Sequence, residues 1–452
     1  MKNQENKSVP FVRRILTCTT SLLLVLAIVA FTVSCSFIGT KPIDLTKDEI
    51  LENIKSKTEE NTEHSYAASY LLDYGITGFD SVKFKQAESL FDRNSIYELE
   101  SKEELAIKTA ELFVEFYYDI TDLSDKDAVT DALITCFVEA TGDKYAVYRT
   151  KAQYDDYKTD MSGSFVGIGV YVRYSATDNT VQVTSVMEDS GALEAGILAG
   201  DFLYAVDGKT LEELSYNTFV NSIKGEVGST VTVTVIRGGE YIDFTITRKQ
   251  ITEKTVSYSI NDDKIGYVRI SGFKENTKEQ FIAAINALEA AGTVGIIFDM
   301  RDNPGGYLTI VVDVIDYLVP KGTRIASDVS VSKETVYTAT SDHRITVPIT
   351  VIFNGGTASA GELFSAAMRD YNDMGILKCT TVGTNTYSKG VMQNTGKFYD
   401  GSTLTLTIAY YNPPCDVNYD GVGVAPDVPV NLGSGGDNQL DAAYVELSKL
   451  IN

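Results

Sequence analysis

A multidomain α/β protein is what this sequence predicts, on three patterns. Helical periodicity runs through 47–63 and 102–140, a period-two alternation begins near Ser164, and beyond about 251 apolar strand-like runs alternate with helical ones. The expected order is an N-terminal segment 1–35, a helical region 36–163, a β-rich module 164–250, an α/β domain 251–432, and a linker with a short helix over 433–452. A chain of 452 residues, 44% hydrophobic and 22% charged, can bury several cores. Its formal net charge of -23 leaves no broad basic surface, which argues against nucleic acid as a partner.

The first element is an apolar run, ILTCTTSLLLVLAIVAFTVS at 15–34, behind Arg13 and Arg14. That matches a bacterial export signal, and it is also long enough to span a bilayer. Val33-Ser34-Cys35 ends it, so Cys35 is a candidate lipidation site, with an uncleaved signal anchor as the alternative. Either way the bulk of the chain is expected outside the cytoplasm, on the outer face of the cell membrane. The five cysteines carry no CxxC spacing and imply neither a metal site nor a disulfide framework. In the helical region Leu105, Leu112, Phe113 and Phe116 mark one apolar face that Thr109 interrupts, a surface for packing or homodimerisation.

Three alternating runs build the β-rich module: Val181, Val183 and Val186; Val231, Val233 and Val235; Ile242, Phe244 and Ile246. Gly238-Gly239 separates the last two as a hairpin turn. The α/β domain shows GIIFDM at 295–300, a helix near 306–319, PITVIF at 348–353 and a helix from about 359 to 371. A Gly/Ser-rich stretch at 433–437 then precedes the terminal helix.

Ser359 falls at the turn between PITVIF and the following helix, beside unpaired N–H groups that can steady an oxyanion. On that segment alone the reading as a plain helix cap comes first. A nucleophilic serine needs a base, and the two histidines, His64 and His343, lie in polar segments without a positioning context. Lysine is the other known partner when burial keeps it neutral. Lys389 sits among small and apolar neighbours in TYSKGVMQ, a setting that favours desolvation. Upstream, DMRDNPGG at 299–306 places a glycine turn at a strand's C-terminal end, where a second oxyanion donor can stand. Asp416, Asn418, Asp420, Gly421 and Asp427 have the spacing of a calcium loop, but a strand-like segment precedes them, so no metal is expected.

The blocks SGSFVGIGV, GYVRISGF, DMRDNPGG, NGGTASAGE, SKGVMQ and TIAYYNPP, in this order, resemble the C-terminal processing peptidases, or tail-specific proteases, of serine protease family S41. The resemblance covers about 130–430. It implies a crotonase/ClpP-like α/β core with an inserted PDZ domain, and a Ser/Lys serine peptidase that needs no cofactor. Ser359 matches the nucleophile, Lys389 the general base and Gln393 the residue that orients it. The backbones of Gly305 and Ala360 match the oxyanion donors. The FVGIG loop, Phe165, Val166, Gly167, Ile168 and Gly169, matches the PDZ cradle for a substrate carboxylate, so proteins with free, apolar C-termini are the implied partners. A further alternative that relatives suggest is gating, in which the PDZ position opens or blocks the site. Two departures stand out: Ser388 replaces the usual glycine, and the Ser359 to Lys389 spacing is longer, which places a loop insertion near 372–379. The rival reading is a catalytically silent PDZ scaffold that binds C-terminal peptides at the membrane surface.

Overall fold

The computed structural model describes residues 43–60, 63–98, 101–433 and 435–452. The apolar run at 15–34 and Cys35 lie outside the described residues. Among those described, no helix is long and apolar enough to cross a membrane. The chain divides into two compact units, one comprising Met1–Glu88 and Leu99–Gly142, the other Ser89–Glu98 and Asp143–Asn452.

The first unit is helical. Its elements are α1 (Lys47–Glu60), α2 (Ala67–Asp73), α3 (Ser81–Asn94, which runs on into the second unit), α4 (Lys102–Leu112) and α5 (Lys126–Ala140). Ser101 caps α4 by accepting from Glu104 N–H, and Asp125 caps α5 by accepting from Asp127 and Ala128 N–H, as helix starts require. Phe84 and Phe137 meet edge-on at 5.4 Å in its core. Phe116 departs from the expected apolar face. A single π-helical turn, Phe113–Tyr117, follows α4, and its wider winding rotates later residues outward. Leu105, Thr109 and Phe113 are therefore buried while Phe116 is 56% exposed. Thr109 fits among them because its hydroxyl donates back to Leu105 C=O at 2.7 Å.

The second unit begins with β1 (Val147–Arg149) and α6 (Lys151–Met161). Its β-rich module follows with β2 (Ser164–Gly167), β3 (Val170–Ser175), β4 (Thr180–Val186), α7 (Gly191–Ala195), β5 (Phe202–Val206), β6 (Lys209–Thr210), α8 (Tyr216–Ile223), β7 (Thr230–Arg237), β8 (Glu240–Thr247) and β9 (Lys249–Thr252). The sheet runs β3-β4-β5-β7-β8, with β6 on β5, so β3 is an edge strand. Val181, Val183, Val231, Val233, Val235 and Ile246 fill its core. Gly238 and Gly239 both have positive φ, 61° and 88°, the backbone a two-residue hairpin of this twist demands. β2 and β9 pair with each other, Ser164 opposite Thr252, and form the two-stranded ribbon by which the module leaves and rejoins the chain.

The α/β part contains β10 (Val256–Ile260), β11 (Ile265–Ile270), α9 (Thr277–Ala290), β12 (Gly295–Asp299), α10 (Leu308–Asp316), β13 (Arg324–Ser330), β14 (Glu334–Thr338), β15 (Ile349–Phe353), α11 (Ala360–Asp373), β16 (Cys379–Gly383), β17 (Val391–Lys397), β18 (Thr403–Asn412), β19 (Val428–Pro429) and α12 (Asn438–Ile451). One sheet runs β10-β11-β12-β15-β16-β19, parallel from β11 onward. Every residue of β12 and β15 is buried, as expected when helices cover both faces. Ile296, Phe298 and Val351 face α9, α10 and α11, while Ile297 and Ile352 face Ala443 and Leu447 of α12. A second sheet, β1-β18-β13-β14 with β17 on β18, stands beside it. The turns after the parallel strands β12 and β15 lie at their C-terminal ends, where open α/β sheets place ligands.

Candidate active site

Two turns meet at those strand ends. The β15–α11 turn is stitched to the β12–α10 turn by Thr357 Oγ1 donating to Met300 C=O at 2.8 Å and by Ala358 N–H donating to Asn303 C=O at 2.9 Å. Their approach is close. A Cβ on Gly305 (φ 100°) would stand 2.8 Å from Ser359 Cβ, and one on Gly306 (φ 142°) would stand 2.2 Å from Phe273 C=O, so only glycine fits. Ser359 itself has φ 54° and ψ -120°, a conformation that costs a non-glycine residue on the order of 1–3 kcal/mol. Such strain persists because the surrounding turns fix the backbone.

Glu362 supplies much of that fixing. It is fully buried, and its carboxylate accepts from Ser359 N–H at 2.8 Å, Lys389 N–H at 2.8 Å, Ser388 N–H at 2.7 Å and Thr386 Oγ1 at 2.5 Å. One side chain thereby ties the backbones of Ser359 and Lys389 together. Ser388 adopts φ 84°, the conformation that suits a glycine at that place.

Ser359, Ala360, Lys389 and Gln393 line one cavity of about 500 Å³, together with Gly306, Tyr411 and residues of α6 and β17. Ala360 is the first residue of α11, so its N–H has no intrahelical acceptor. Gly305 N–H donates to Asn303 Oδ1 at 2.8 Å, and it is the neighbouring Gly306 that reaches the cavity wall. Gln393 Nε2 donates to Thr407 Oγ1 at 3.2 Å, and Thr407 in turn bonds Asp143. Lys389 Nζ lies 4.6 Å from the ring centroid of Tyr145. Burial pushes the Lys389 ammonium below its usual range, against the pull of Glu362, Asp143 and Asp420. Tyr411, fully buried, donates its hydroxyl to Lys389 C=O at 2.8 Å.

Sequence reading missed four of these groups. Glu362 had a signal, a carboxylate three residues after a serine at a helix start. Tyr411 lay in the TIAYYNPP block without being singled out, and Tyr145 and Asp143 had no signal.

The five residues Phe165 to Gly169 stand apart from this cavity, in the β-rich module. Phe165, Val166 and Gly167 pair with Ile251, Gln250 and Lys249, Ile168 is buried, and Gly169 has φ 80° at the entrance to edge strand β3. His343 packs flat on Tyr317 at 3.8 Å and meets Glu289 at 3.1 Å, away from Ser359. The carboxylates of the calcium-like loop turn to three separate partners: Asp416 to Arg324, Asp420 to Gly390 N–H and Asp427 to Thr381.

Comparison with known proteins agrees with this architecture. Residues 264–430 match the family model of Peptidase family S41, and 166–247 match that of a PDZ domain. The chain is 32% identical over 316 residues to a probable CtpA-like serine protease of Staphylococcus saprophyticus, covering 69% of this chain and 62% of the relative. A probable CtpA-like serine protease of Staphylococcus aureus (strain COL) gives 32% over 311 residues, 68% of this chain and 61% of the relative. The chain thus spans 62% and 61% of these curated relatives' own length. Among solved structures, a photosystem II D1 C-terminal processing protease superposes with a TM-score of 0.47 at 24% identity, over 78% of this chain and 94% of that one. The chain therefore carries a peptidase family S41 domain with a PDZ domain set ahead of it.

Proposed function

We propose that this protein is a serine endopeptidase of the C-terminal processing type, cleaving extracytoplasmic proteins held by their C-terminal ends on the PDZ domain. The observation that carries the reading is that Ser359 and Lys389 line one cavity while a single buried carboxylate, Glu362, binds both their backbones. Ser359 Oγ attacks the scissile carbonyl and neutral Lys389 takes its proton. The N–H of Ala360 holds the oxyanion, and that of Gly305, bonded to Asn303 Oδ1 here, joins it by exchanging that bond. The C–N bond then breaks, the leaving amine takes the proton back from Lys389, and water hydrolyses the acyl-enzyme. No cofactor enters these steps. Among the described residues no hydrogen bond joins Ser359 Oγ to Lys389 Nζ, so the amine must leave the Tyr145 ring as substrate seats; catalytic hydrogen bonds often tighten only then. Gln393, turned to Thr407 here, would orient the amine in that state.

The same proposal includes a crotonase/ClpP-like core at 251–432, the module at 164–250, the helical region at 36–163 and the terminal linker and helix at 433–452. Peptides would add to β3, whose edge is unpaired, with the Phe165–Gly169 loop at their carboxylate. Export and tethering rest on residues 15–35. Homodimerisation is assigned to the helical unit, where Phe116 and Ile120, 56% and 78% exposed, border an apolar groove of about 430 Å³.

The unmade Ser359–Lys389 contact favours the second reading, a silent scaffold. Turnover of a peptide with an apolar C-terminus decides between them. Ser359→Ala and Lys389→Ala should each abolish cleavage and leave peptide binding intact. Full activity in Lys389→Ala would remove the base assignment.

A further inference from the structure

We propose that Arg149 forms a carboxylate-binding subsite at the margin of the Ser359 cavity, and that it receives a carboxylate of the substrate several residues from the scissile bond. The proposal rests on the peptidase reading of that cavity. Arg149 ends β1, half-buried, and its Nη1 donates to Thr405 Oγ1 at 3.1 Å. Its guanidinium carbon lies 4.5 Å from the ring centroid of Tyr157. Thr405 and Tyr157 both line the cavity, as does Thr395, whose hydroxyl meets that of Thr405 at 3.0 Å. A cation is therefore held by two of the lining residues.

This cation is uncommitted. Arg149 has no carboxylate within ion-pair distance among the described residues, although the sequence holds 62 acidic against 39 basic residues. Arg237, Arg301 and Arg324 each pair with an aspartate, and Arg248 is satisfied by the carbonyls of Ser222, Ile223 and Thr230. A guanidinium offers five donors, and its planar fork matches a carboxylate with two parallel hydrogen bonds. Its place along the cavity wall sets the reach. From Tyr411 to Thr405 the strand β18 runs six residues, about 20 Å of extended chain, which corresponds to roughly five or six residues of a bound peptide. A free C-terminus or an acidic side chain at that distance would meet Arg149.

The test uses the purified full-length chain and three versions of one peptide: a free C-terminal acid, the C-terminal amide, and the amide with Glu as last residue. The wild type should cleave the acid with a kcat/KM about tenfold or more above the amide, mainly through KM, as a charged hydrogen bond allows. Arg149→Gln should bring the acid down to the amide's level and leave the amide unchanged, while Arg149→Lys should restore part of the preference. If the Glu amide regains the preference in the wild type and loses it in Arg149→Gln, the side-chain carboxylate is accepted as well; if it does not, the terminal carboxylate is the ligand. The proposal is overturned if Arg149→Gln leaves the acid-to-amide ratio unchanged, which would place that preference on the PDZ domain, or lowers both peptides alike. Should Arg149→Gln fail to fold, as its melting temperature will show, an unchanged ratio in Arg149→Lys together with equal cleavage of acid and amide by the wild type overturns it. Hydrolysis that survives in Ser359→Ala would instead sink the peptidase reading itself.

Discussion

Glu362 gathers four donors on one buried carboxylate, two of them the N–H groups of Ser359 and Lys389. Glu362→Gln keeps the shape but turns an amide NH₂ toward groups that are themselves donors. An unmatched buried donor costs about 1–3 kcal/mol, so urea denaturation should show a loss of that size, with kcat falling more than KM rises. Lys389 gives a pH prediction. Burial lowers its pKa in the folded chain, so kcat/KM should rise with pH along a limb centred below the ordinary lysine value. The stability sign follows from the same shift: above the unfolded lysine pKa both states are neutral, and as pH falls the unfolded chain takes the proton first. Lys389→Met should therefore gain stability relative to wild type as pH is lowered through that window, and a gain independent of pH would contradict a depressed pKa. That Ser359, Lys389 and Gln393 share one cavity was expected for Ser359 and Lys389 from the residue types of their short blocks, and for Gln393 from the family resemblance alone. Tyr145 and Arg149 were not, since they come from the segment around β1, far in sequence from the strands β17 and β18 that they meet.

Elements depend on similar clasps. Asp299, at the end of β12, is fully buried, and Arg301 bridges it to Asp437 at the start of α12, with contacts of 2.6 Å and 2.7 Å. Burial raises the Asp299 carboxyl, but hydrogen bonds from Arg301 and Tyr267 outweigh it and hold the group below its usual range. Arg301→Ala leaves that charge to Tyr267 at 2.6 Å and the more distant Arg269 at 3.5 Å, and should cost about 1.5–3 kcal/mol in a denaturation experiment at neutral pH. The wild-type contribution is present above the unfolded carboxylate pKa and is lost as pH falls through the lower folded one, so wild type and variant should converge in acid. Strand and helix positions could be read from the sequence because periodicity reports the face each element buries. The π turn after α4 could not: one residue of extra winding leaves composition unchanged yet turns Phe116 to solvent.

The whole molecule joins a PDZ domain to a peptidase family S41 domain, and the order of the two along the chain was legible from the switch between period-two runs and alternating strands and helices. If the module's position governs access to Ser359, excising 168–248 and closing the gap with a short turn should change kcat on a short peptide as well as KM on a long one. An unchanged kcat on the short peptide would leave the module as a docking device alone. Such an excision is feasible because Gly167 and Lys249 face each other across the β2–β9 ribbon. Those paired stumps make the insert a plug-in cassette: a foreign domain whose two ends lie one strand spacing apart could be spliced onto them with the S41 domain left as it is.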